Sequence, residues 1–295
     1  MKLKKAAKLL LSCVLAGALF TGCGGGQQGD GGGDKPAQSG GEIKLGMITH
    51  LNATEKRMEE VLQMVQEETT VPVTKYAITY YDSYRNLQMG VKSGSVDEAS
   101  LYKCVADYVI AITGQFEVAA NDPVKGLADS FCFAVRKEDT ALKDDLNKVI
   151  DEMKADGTLD KLIDEYINQI DSYVKAEGEV PPKVDIPMTE GAPTIKVGVT
   201  GDLPPLDCVA GDNRPTGFNT AILAEIAKRL GRNIELVSID SGARAAALAS
   251  KQIDVIFWAI VPIGEKIPAD IDKPENIEMT KPYFKDDVVH IKLKK

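Results

Sequence analysis

Apolar and polar positions alternate from residue 43 onward in a way that predicts strands and helices in turn. Residues 43–49 and 76–81 are short apolar runs, which predict strands. Between them, Asn52 and Glu55 form a capping-box pattern, and apolar residues follow at helical spacing. Residues 84–92 predict a further helix. This alternation is typical of a mixed α/β unit.

The pattern continues with two more strands and a long helical stretch. A third strand is predicted to begin at Val96, and a fourth to cover residues 131–136. Residues 142–170 then show helical periodicity, which is interrupted at a glycine. We expect Gly157 to end one helix and Thr158 to cap the next.

The second half of the chain repeats the start of the first. The residues Ile-Lys-Val-Gly from Ile195 echo Ile-Lys-Leu-Gly from Ile43, and Asp97 and Asp254 follow at similar intervals. Residues 175–193, with four prolines and no periodicity, predict a linker between the halves. Two such units predict two facing α/β lobes, with a ligand cleft at the carboxyl ends of their strands.

The N-terminus predicts export and attachment to a membrane. Residues 1–22 place four lysines before an apolar run that is shorter than the roughly 20 residues of a transmembrane helix, which is typical of a signal peptide. Residues 20–23, Phe-Thr-Gly-Cys, resemble the lipobox of bacterial lipoproteins. This resemblance implies a lipid on Cys23, which would anchor the protein to the outer face of the cell membrane. Glycine-rich residues 23–42 predict a flexible tether.

The charge of the chain bears on one class of function. The 35 basic and 44 acidic residues give a formal net charge of −9. Removal of residues 1–22 takes away four lysines and no acid, which leaves −13. Because the phosphate backbone is held by clustered lysine and arginine, this balance argues against general nucleic-acid binding.

The cysteines and histidines predict neither a metal nor a cofactor. Cys104, Cys132 and Cys208 have no metal-like spacing, and we expect them to be buried thiols. The two histidines, His50 and His290, lie in no Cys/His cluster. The sequence contains no nucleophile elbow or phosphate loop, so we expect no catalytic residues.

Motifs in both halves resemble one family. In the second half they are Val197-Gly198-Val199, Asp202, Pro204-Pro205, Thr216-Gly217-Phe218, the helix at 224–231, Arg244, Ile253-Asp254-Val255-Ile256 and Lys281-Pro282-Tyr283-Phe284. These resemble the first lobe of the family 3 extracellular solute-binding proteins, the amino-acid-type receptors of ATP-binding-cassette importers. Residues 133–137 and 153–162 resemble the second lobe and the C-terminal helix of that family. The resemblance implies a two-lobed, type II periplasmic-binding-protein fold with a ligand cleft between the lobes.

The order of the lobes is inverted relative to that family. Residues 43–174 resemble the second lobe with the C-terminal helices, residues 175–194 would be a linker, and residues 195–295 resemble the first lobe. A circular permutation explains this order, because such changes are tolerated where termini lie close together. A fusion of two partial copies that exchange lobes as a swapped dimer is the alternative.

Two parts of the predicted cleft follow from the residues alone. Thr49 and Asn52 lie in a loop between strand and helix, where free N–H groups bind an anion or simply form a capped turn. Trp258, the only tryptophan, ends a buried strand. It is either part of the core or a cleft wall for an apolar or cationic ligand.

The resemblance adds the other candidate ligand-binding residues. The family arginine that holds the ligand carboxylate, in a T-x-x-R motif, is replaced by Lys266, and the aspartate that holds the α-amino group is replaced by Tyr102. Arg244 matches an arginine of many members, which implies either an anion anchor or a solvated charge at a helix start. Asp202 keeps its family position and implies an acceptor for a donor group or for the following turn.

These observations predict a membrane-anchored substrate-binding lipoprotein of an ATP-binding-cassette importer. We expect a small polar solute, an amino acid or a related compound, as ligand, a transporter permease as partner, and a monomer rather than a swapped dimer. One alternative is a sensor or binding lipoprotein of the same fold that has lost the amino-acid site. A dehydratase-like enzyme, with Glu265 as the only acid beside the displaced motif, is the other.

Overall fold

The protein forms a mixed α/β structure, known here from a computed structural model. It describes residues 42–51, 60, 63–64, 76–120, 128–177, 181–210, 214–263, 270 and 273–295. The strands are β1 (Ile43–Ile48), β2 (Tyr76–Tyr81), β3 (Glu98–Tyr102), β4 (Phe116–Val118), β5 (Ala128–Arg136), β6 (Thr194–Val199), β7 (Asp202–Leu203), β8 (Asp207–Val209), β9 (Pro215–Thr216), β10 (Asn233–Ser238), β11 (Val255–Ile263), β12 (Ile277–Met279) and β13 (Phe284–Leu293). The helices are α1 (Tyr84–Ser93), α2 (Lys103–Thr113), α3 (Thr140–Ala155), α4 (Thr158–Ile163), α5 (Ile170–Glu177), α6 (Phe218–Leu230) and α7 (Arg244–Ala249).

Two parallel units are joined by antiparallel strands. Strand β1 pairs in parallel with β2 and β3, and β6 pairs in parallel with β10 and β11. We call the first unit, with α1 and α2, the N-terminal lobe, and the second, with α6 and α7, the C-terminal lobe. The strands run in the order β10-β6-β11-β5-β13-β3-β1-β2, with β5 antiparallel to β11 and to β13. The predicted α/β class is therefore confirmed.

In each lobe, one aspartate forms the same pair of hydrogen bonds with the first strand. In the N-terminal lobe, Lys44 N donates to Asp97 Oδ2 at 2.9 Å, and Asp97 N donates to Lys44 O at 2.7 Å. In the C-terminal lobe, Lys196 N donates to Asp254 Oδ2 at 3.0 Å, and Asp254 N donates to Lys196 O at 2.7 Å. The aspartate thus ties the turn after each helix to the first strand, which is the physical reason for the sequence echo.

The helices of residues 140–177 bind the two lobes together. Helices α3 and α4 pack against α6 of the C-terminal lobe, and α5 packs against α2 of the N-terminal lobe. Arg229 of α6 pairs with Asp156 at 2.8 Å, and Arg232 pairs with Asp145 at 2.9 Å. Strand β13 also joins the lobes, because it pairs with β5 at its start and with β3 and β4 further along. Residues from both sides of the predicted linker therefore contribute to one body, within which the lobe boundaries and the permutation stay predictions.

Several predicted element boundaries are wrong by a few residues. The third strand begins at Glu98 rather than Val96, because Asp97 is already used in the tie to Lys44. Thr158 does not cap α4; it is the first residue of that helix, and its N–H donates to Asp156 Oδ1 at 3.0 Å. The helical stretch continues through a π-helical turn to Glu177, into the predicted linker.

Some predictions fall on residues that are not described. The signal peptide, Cys23, the tether and the capping box at Asn52 and Glu55 lie outside the described residues. Among the described residues, Cys104, Cys132 and Cys208 are free thiols, and Cys104 and Cys132 are buried. Among the residues that the structure describes, no helix combines the length and the apolar composition needed to cross a membrane.

Glycine is required where each first strand meets the segments that cover it. A Cβ on Gly198 would lie 2.6 Å from Ile253 Cδ1, and one on Gly46 would overlap Leu87 Cδ1 even more closely. We therefore expect Gly46→Ala and Gly198→Ala each to lower the free energy of unfolding by about 1–3 kcal/mol, because overpacking forces the backbone to move. Urea denaturation measures this change.

The matched controls are Lys44→Ala and Lys196→Ala, which alter exposed neighbours on the same two strands. We expect these controls to stay within about 0.5 kcal/mol of the wild type. Glycine variants as stable as the controls would contradict the close packing.

Candidate functional site

The two lobes touch at the carboxyl ends of their parallel strands. Ser241 N of the C-terminal lobe donates to Asp82 O of the N-terminal lobe at 3.0 Å. Arg85 N donates to Asp202 Oδ2 at 3.1 Å across the same boundary. In open α/β sheets, this edge is where ligands bind. The candidate functional site is therefore built where these ends meet.

Arg244 is the central charge of the site. It is the first residue of α7, and only 1% of its surface is exposed. Its Nε donates to Ser241 O at 3.0 Å, its Nη1 to Phe257 O and Trp258 O at 3.4 Å, and its Nη2 to Thr49 O at 3.4 Å. The guanidinium thus binds carbonyl oxygens of both lobes. Its burial excludes the alternative of a solvated charge at the helix start.

Trp258 lies directly against this arginine. The Arg244 Cζ atom is 3.9 Å from the centroid of the indole ring, within range of a cation–π interaction. Trp258 has φ of 43° within β11, where the register with β5 shifts between Ile256 and Ala259. A bulky residue in this left-handed region costs about 1–3 kcal/mol, and such strain clusters at functional sites. A β-bulge re-aims a side chain, which brings the indole to the lobe boundary.

Tyr102 completes the aromatic side of the site. It ends β3 in the N-terminal lobe and is buried. Its ring packs edge-on to Trp258, with centroids 6.1 Å apart, and to Phe131 at 4.7 Å. The structure therefore brings Thr49, Tyr102, Arg244 and Trp258 together from distant parts of the chain.

Asp202, in strand β7, accepts a hydrogen bond from Arg85 N near the start of helix α1. Burial, the largest cause, raises the pKa of the Asp202 carboxyl. Its neighbour Asp207 is fully buried and accepts hydrogen bonds from Thr200 N, Thr200 Oγ1 and Gly201 N. Asp207 thereby holds the loop that carries Asp202. Among the described residues, no group of three His, Cys, Asp or Glu side chains could hold a metal ion.

Sequence reasoning missed Ser241 and Asp82. Ser241 stands three residues before Arg244, a spacing that could have drawn attention to it, whereas nothing near Asp82 in the sequence marks it. Asn52, Glu265 and Lys266 lie outside the described residues. The expected loss of the T-x-x-R motif therefore stays a prediction.

Two α/β lobes thus meet at the ends of their parallel strands around a buried polar group. A sequence model of the bacterial extracellular solute-binding proteins, family 3, matches residues 41–169 and 195–294. The chain belongs to this family. The predicted family and the two-lobed type II fold that it implies are confirmed.

Curated relatives match shorter segments of the chain. A probable histidine-binding protein of Campylobacter jejuni is 32% identical over 101 residues, which cover 34% of this chain and 36% of the relative. The arginine-binding extracellular protein ArtP of Bacillus subtilis is 30% identical over 76 residues, which cover 26% of this chain and 29% of ArtP. The chain thus matches about a third of the length of these relatives. Both are named as binding proteins.

A solved structure of similar fold is the ligand-binding component of an ABC-type import system from Staphylococcus aureus with zinc bound. It is 11% identical, with a TM-score of 0.41, and the match covers 84% of this chain and 65% of that chain.

The buried Asp207 makes stability depend on pH. Burial, which is the largest cause, raises the pKa of Asp207 from 3.8 to about 6. The folded protein therefore binds this proton more tightly than the unfolded chain, and the contribution of Asp207 to stability rises as pH falls through about 6. We expect the free energy of unfolding to increase by about 1 kcal/mol from about pH 7.5 to about pH 5.5.

Denaturant titrations at several pH values measure this rise. Asp207→Asn should remove it whatever its absolute stability, whereas Asp171→Asn, at an exposed position, should retain it. A rise that persists in Asp207→Asn would contradict the assignment.

Proposed function

We propose that the protein is the exported solute receptor of an ATP-binding-cassette importer, and that one chain closes its two lobes on a small polar solute. The ligand is an amino acid or a related compound, and the partner is a transporter permease. Membership of the solute-binding family supports this proposal, as do two relatives named for histidine and arginine binding. The names of these two relatives support an amino acid as the class of ligand.

The observation that carries the proposal is the burial of Arg244 between the lobes. Its guanidinium donates to Ser241 O in one lobe and to Thr49 O in the other. Burying a charge costs free energy unless the charge is well paired. A buried charge is therefore a sign of a functional role. We propose that this shared contact couples ligand binding to closure, which is the behaviour that a transport receptor needs.

The expected affinity is within reach of such a site. Micromolar binding corresponds to about −8 kcal/mol. A few charge-assisted hydrogen bonds of about 1.5–3 kcal/mol each, together with apolar burial, supply this amount.

The proposal predicts binding that compacts the protein. We expect at least one compound among amino acids, amines, organic acids and short peptides to bind with micromolar affinity, measured by isothermal titration calorimetry. The same compound should reduce the radius of gyration in small-angle X-ray scattering, because closing lobes expel water. Absence of binding across the whole panel would contradict the transport function. Binding without compaction would favour the sensor alternative.

We also propose a lipid anchor on Cys23. The buried acyl chains of a lipidated cysteine contribute about 0.8 kcal/mol per CH₂ to membrane attachment, and two or more chains hold a protein stably. The glycine-rich tether of residues 24–41 would then separate the folded body from the membrane surface.

Cys23→Ala should release the protein from the membrane fraction into the medium or periplasm, as followed by fractionation and immunoblotting. Cys13→Ala, a cysteine within the predicted signal, is the matched control and should leave attachment unchanged. Membrane attachment of Cys23→Ala equal to that of the wild type would refute lipidation.

A further inference from the structure

Helix α1 of the N-terminal lobe receives part of its N-terminal cap from the C-terminal lobe. The first N–H groups of a helix have no acceptor within the helix itself. In α1, Ser83 Oγ accepts from Asn86 N at 3.2 Å, whereas Asp202 Oδ2 accepts from Arg85 N at 3.1 Å. Asp202 lies in β7, 117 residues further along the chain than Arg85. The first turn of α1 is therefore satisfied in part by a bond across the lobe boundary.

A second contact brings the lobes close together beside this cap. Ser241 N donates to Asp82 O at 3.0 Å, and Asp82 directly precedes the N-cap residue Ser83. A Cβ on Gly242 would lie only 2.9 Å from Asp82 Oδ1 and 3.5 Å from Thr49 Cγ2. The 3-10 turn that contains Gly242 therefore packs directly against the N-terminal lobe, and the missing side chain is what permits this approach.

These contacts form one unit, which we call the latch. It consists of Asp82 and Arg85 in the N-terminal lobe and of Asp202, Ser241 and Gly242 in the C-terminal lobe. Each hydrogen bond across the boundary joins two atoms of the chain itself. The free energy of these bonds therefore favours contact between the lobes whether or not a solute is bound, and a solute adds its own differential affinity to it.

The bond at Asp202 depends on an oxygen acceptor rather than on a full negative charge. Burial, the largest cause, raises the pKa of the Asp202 carboxyl, so its ionised form is less favoured here than in water. The amide oxygen of asparagine accepts the same hydrogen bond. Asparagine at this position should therefore preserve the latch, and alanine should break it.

We infer that the latch lets the protein close its lobes before a solute is bound, as a minor population, and that Asp202 is the positioning residue that sets the size of this population. The proposed function requires closure on a solute. This inference goes beyond it, because it assigns part of the free energy of closure to contacts of the chain itself. A solute then stabilises a form that the empty protein already visits, and it still compacts the average molecule.

Disulfide trapping measures how often the latch forms. Asp82→Cys and Gly242→Cys place two thiols across the boundary, because a Cβ at position 242 would lie 3.9 Å from Asp82 Cγ, the atom that a sulfur would replace. A disulfide needs Cβ atoms about 3.5–4.5 Å apart. The first substitution also removes the Asp82 Oδ1 atom that a side chain at position 242 would meet. Cys208→Ser, added to the same protein, removes a native thiol that is not fully buried.

The purified protein is unfolded and refolded before oxidation, which removes any bound solute. We expect glutathione disulfide to link the two introduced cysteines, as detected by mass spectrometry of proteolytic peptides. Adding Asp202→Ala should slow the linkage by about tenfold, because the rate follows the population of a minor closed form and one hydrogen bond of that form is lost. Asp202→Asn should be linked at nearly the rate of the parent protein.

Glu235→Ala, which removes an exposed acid on β10 of the same lobe, is the matched control and should leave the rate unchanged. Asp202 is only half-buried, so we expect its variants to fold, which circular dichroism verifies. Absence of the disulfide in the refolded parent would overturn the inference. Equal rates with and without Asp202→Ala, or linkage as slow in Asp202→Asn as in Asp202→Ala, would overturn it as well.

These outcomes are independent of the proposed function, because no solute is present during trapping. A protein that forms the disulfide but binds no compound of the calorimetric panel would retain the latch and lose the transport function. A protein that binds a solute but never forms the disulfide without it would retain the transport function and lose the latch.

Discussion

The guanidinium of Arg244 is buried where two lobes meet, and its requirement for hydrogen-bond acceptors constrains the structure around it. An uncompensated buried charge costs several kcal/mol. Carbonyl oxygens from the 3-10 turn at Ser241–Ala243, from β11 and from the loop after β1 are turned toward it. Acceptors from both lobes must therefore be in place together. The position of one lobe against the other is thus tied to the solvation of a single side chain.

The same two features position these acceptors in both lobes. In each lobe, a glycine lets a covering segment approach the first strand, and an aspartate ties the following turn to the same strand. Strands β5 and β13 then join the lobes through antiparallel pairing. Because both connections are strands within the sheet, the lobes are linked by ladders of backbone hydrogen bonds rather than by loose linkers. Such a frame keeps the strand ends of the two lobes aimed at one another.

Local patterns in the sequence predicted several of the regular elements. Strand β2 was predicted with its observed bounds, because its apolar residues stand between clear turn signals. Helix α1 ends at Gly94, which has φ of 73°, a conformation that glycine adopts without strain. Errors occurred where a side chain had a tertiary partner. Asp97 shortens β3 through its bond to Lys44, and Asp156 rather than Thr158 satisfies the first turn of α4.

By itself, the sequence determined the α/β alternation, the internal repeat and the family, since these depend on local spacing and residue chemistry. It left open whether Arg244 is solvated and whether Trp258 belongs to the core or to the site. Only the tertiary structure decided these points: it buries Arg244 against carbonyl oxygens from residues far apart in the chain, and it places Trp258 in the hydrophobic core, with its ring against the guanidinium. The bulge that re-aims Trp258 depends on the pairing of β11 with β5, which lies more than a hundred residues earlier. Such long-range register has no local sequence signature, and so the contact between Trp258 and Arg244 is a property of the folded chain alone.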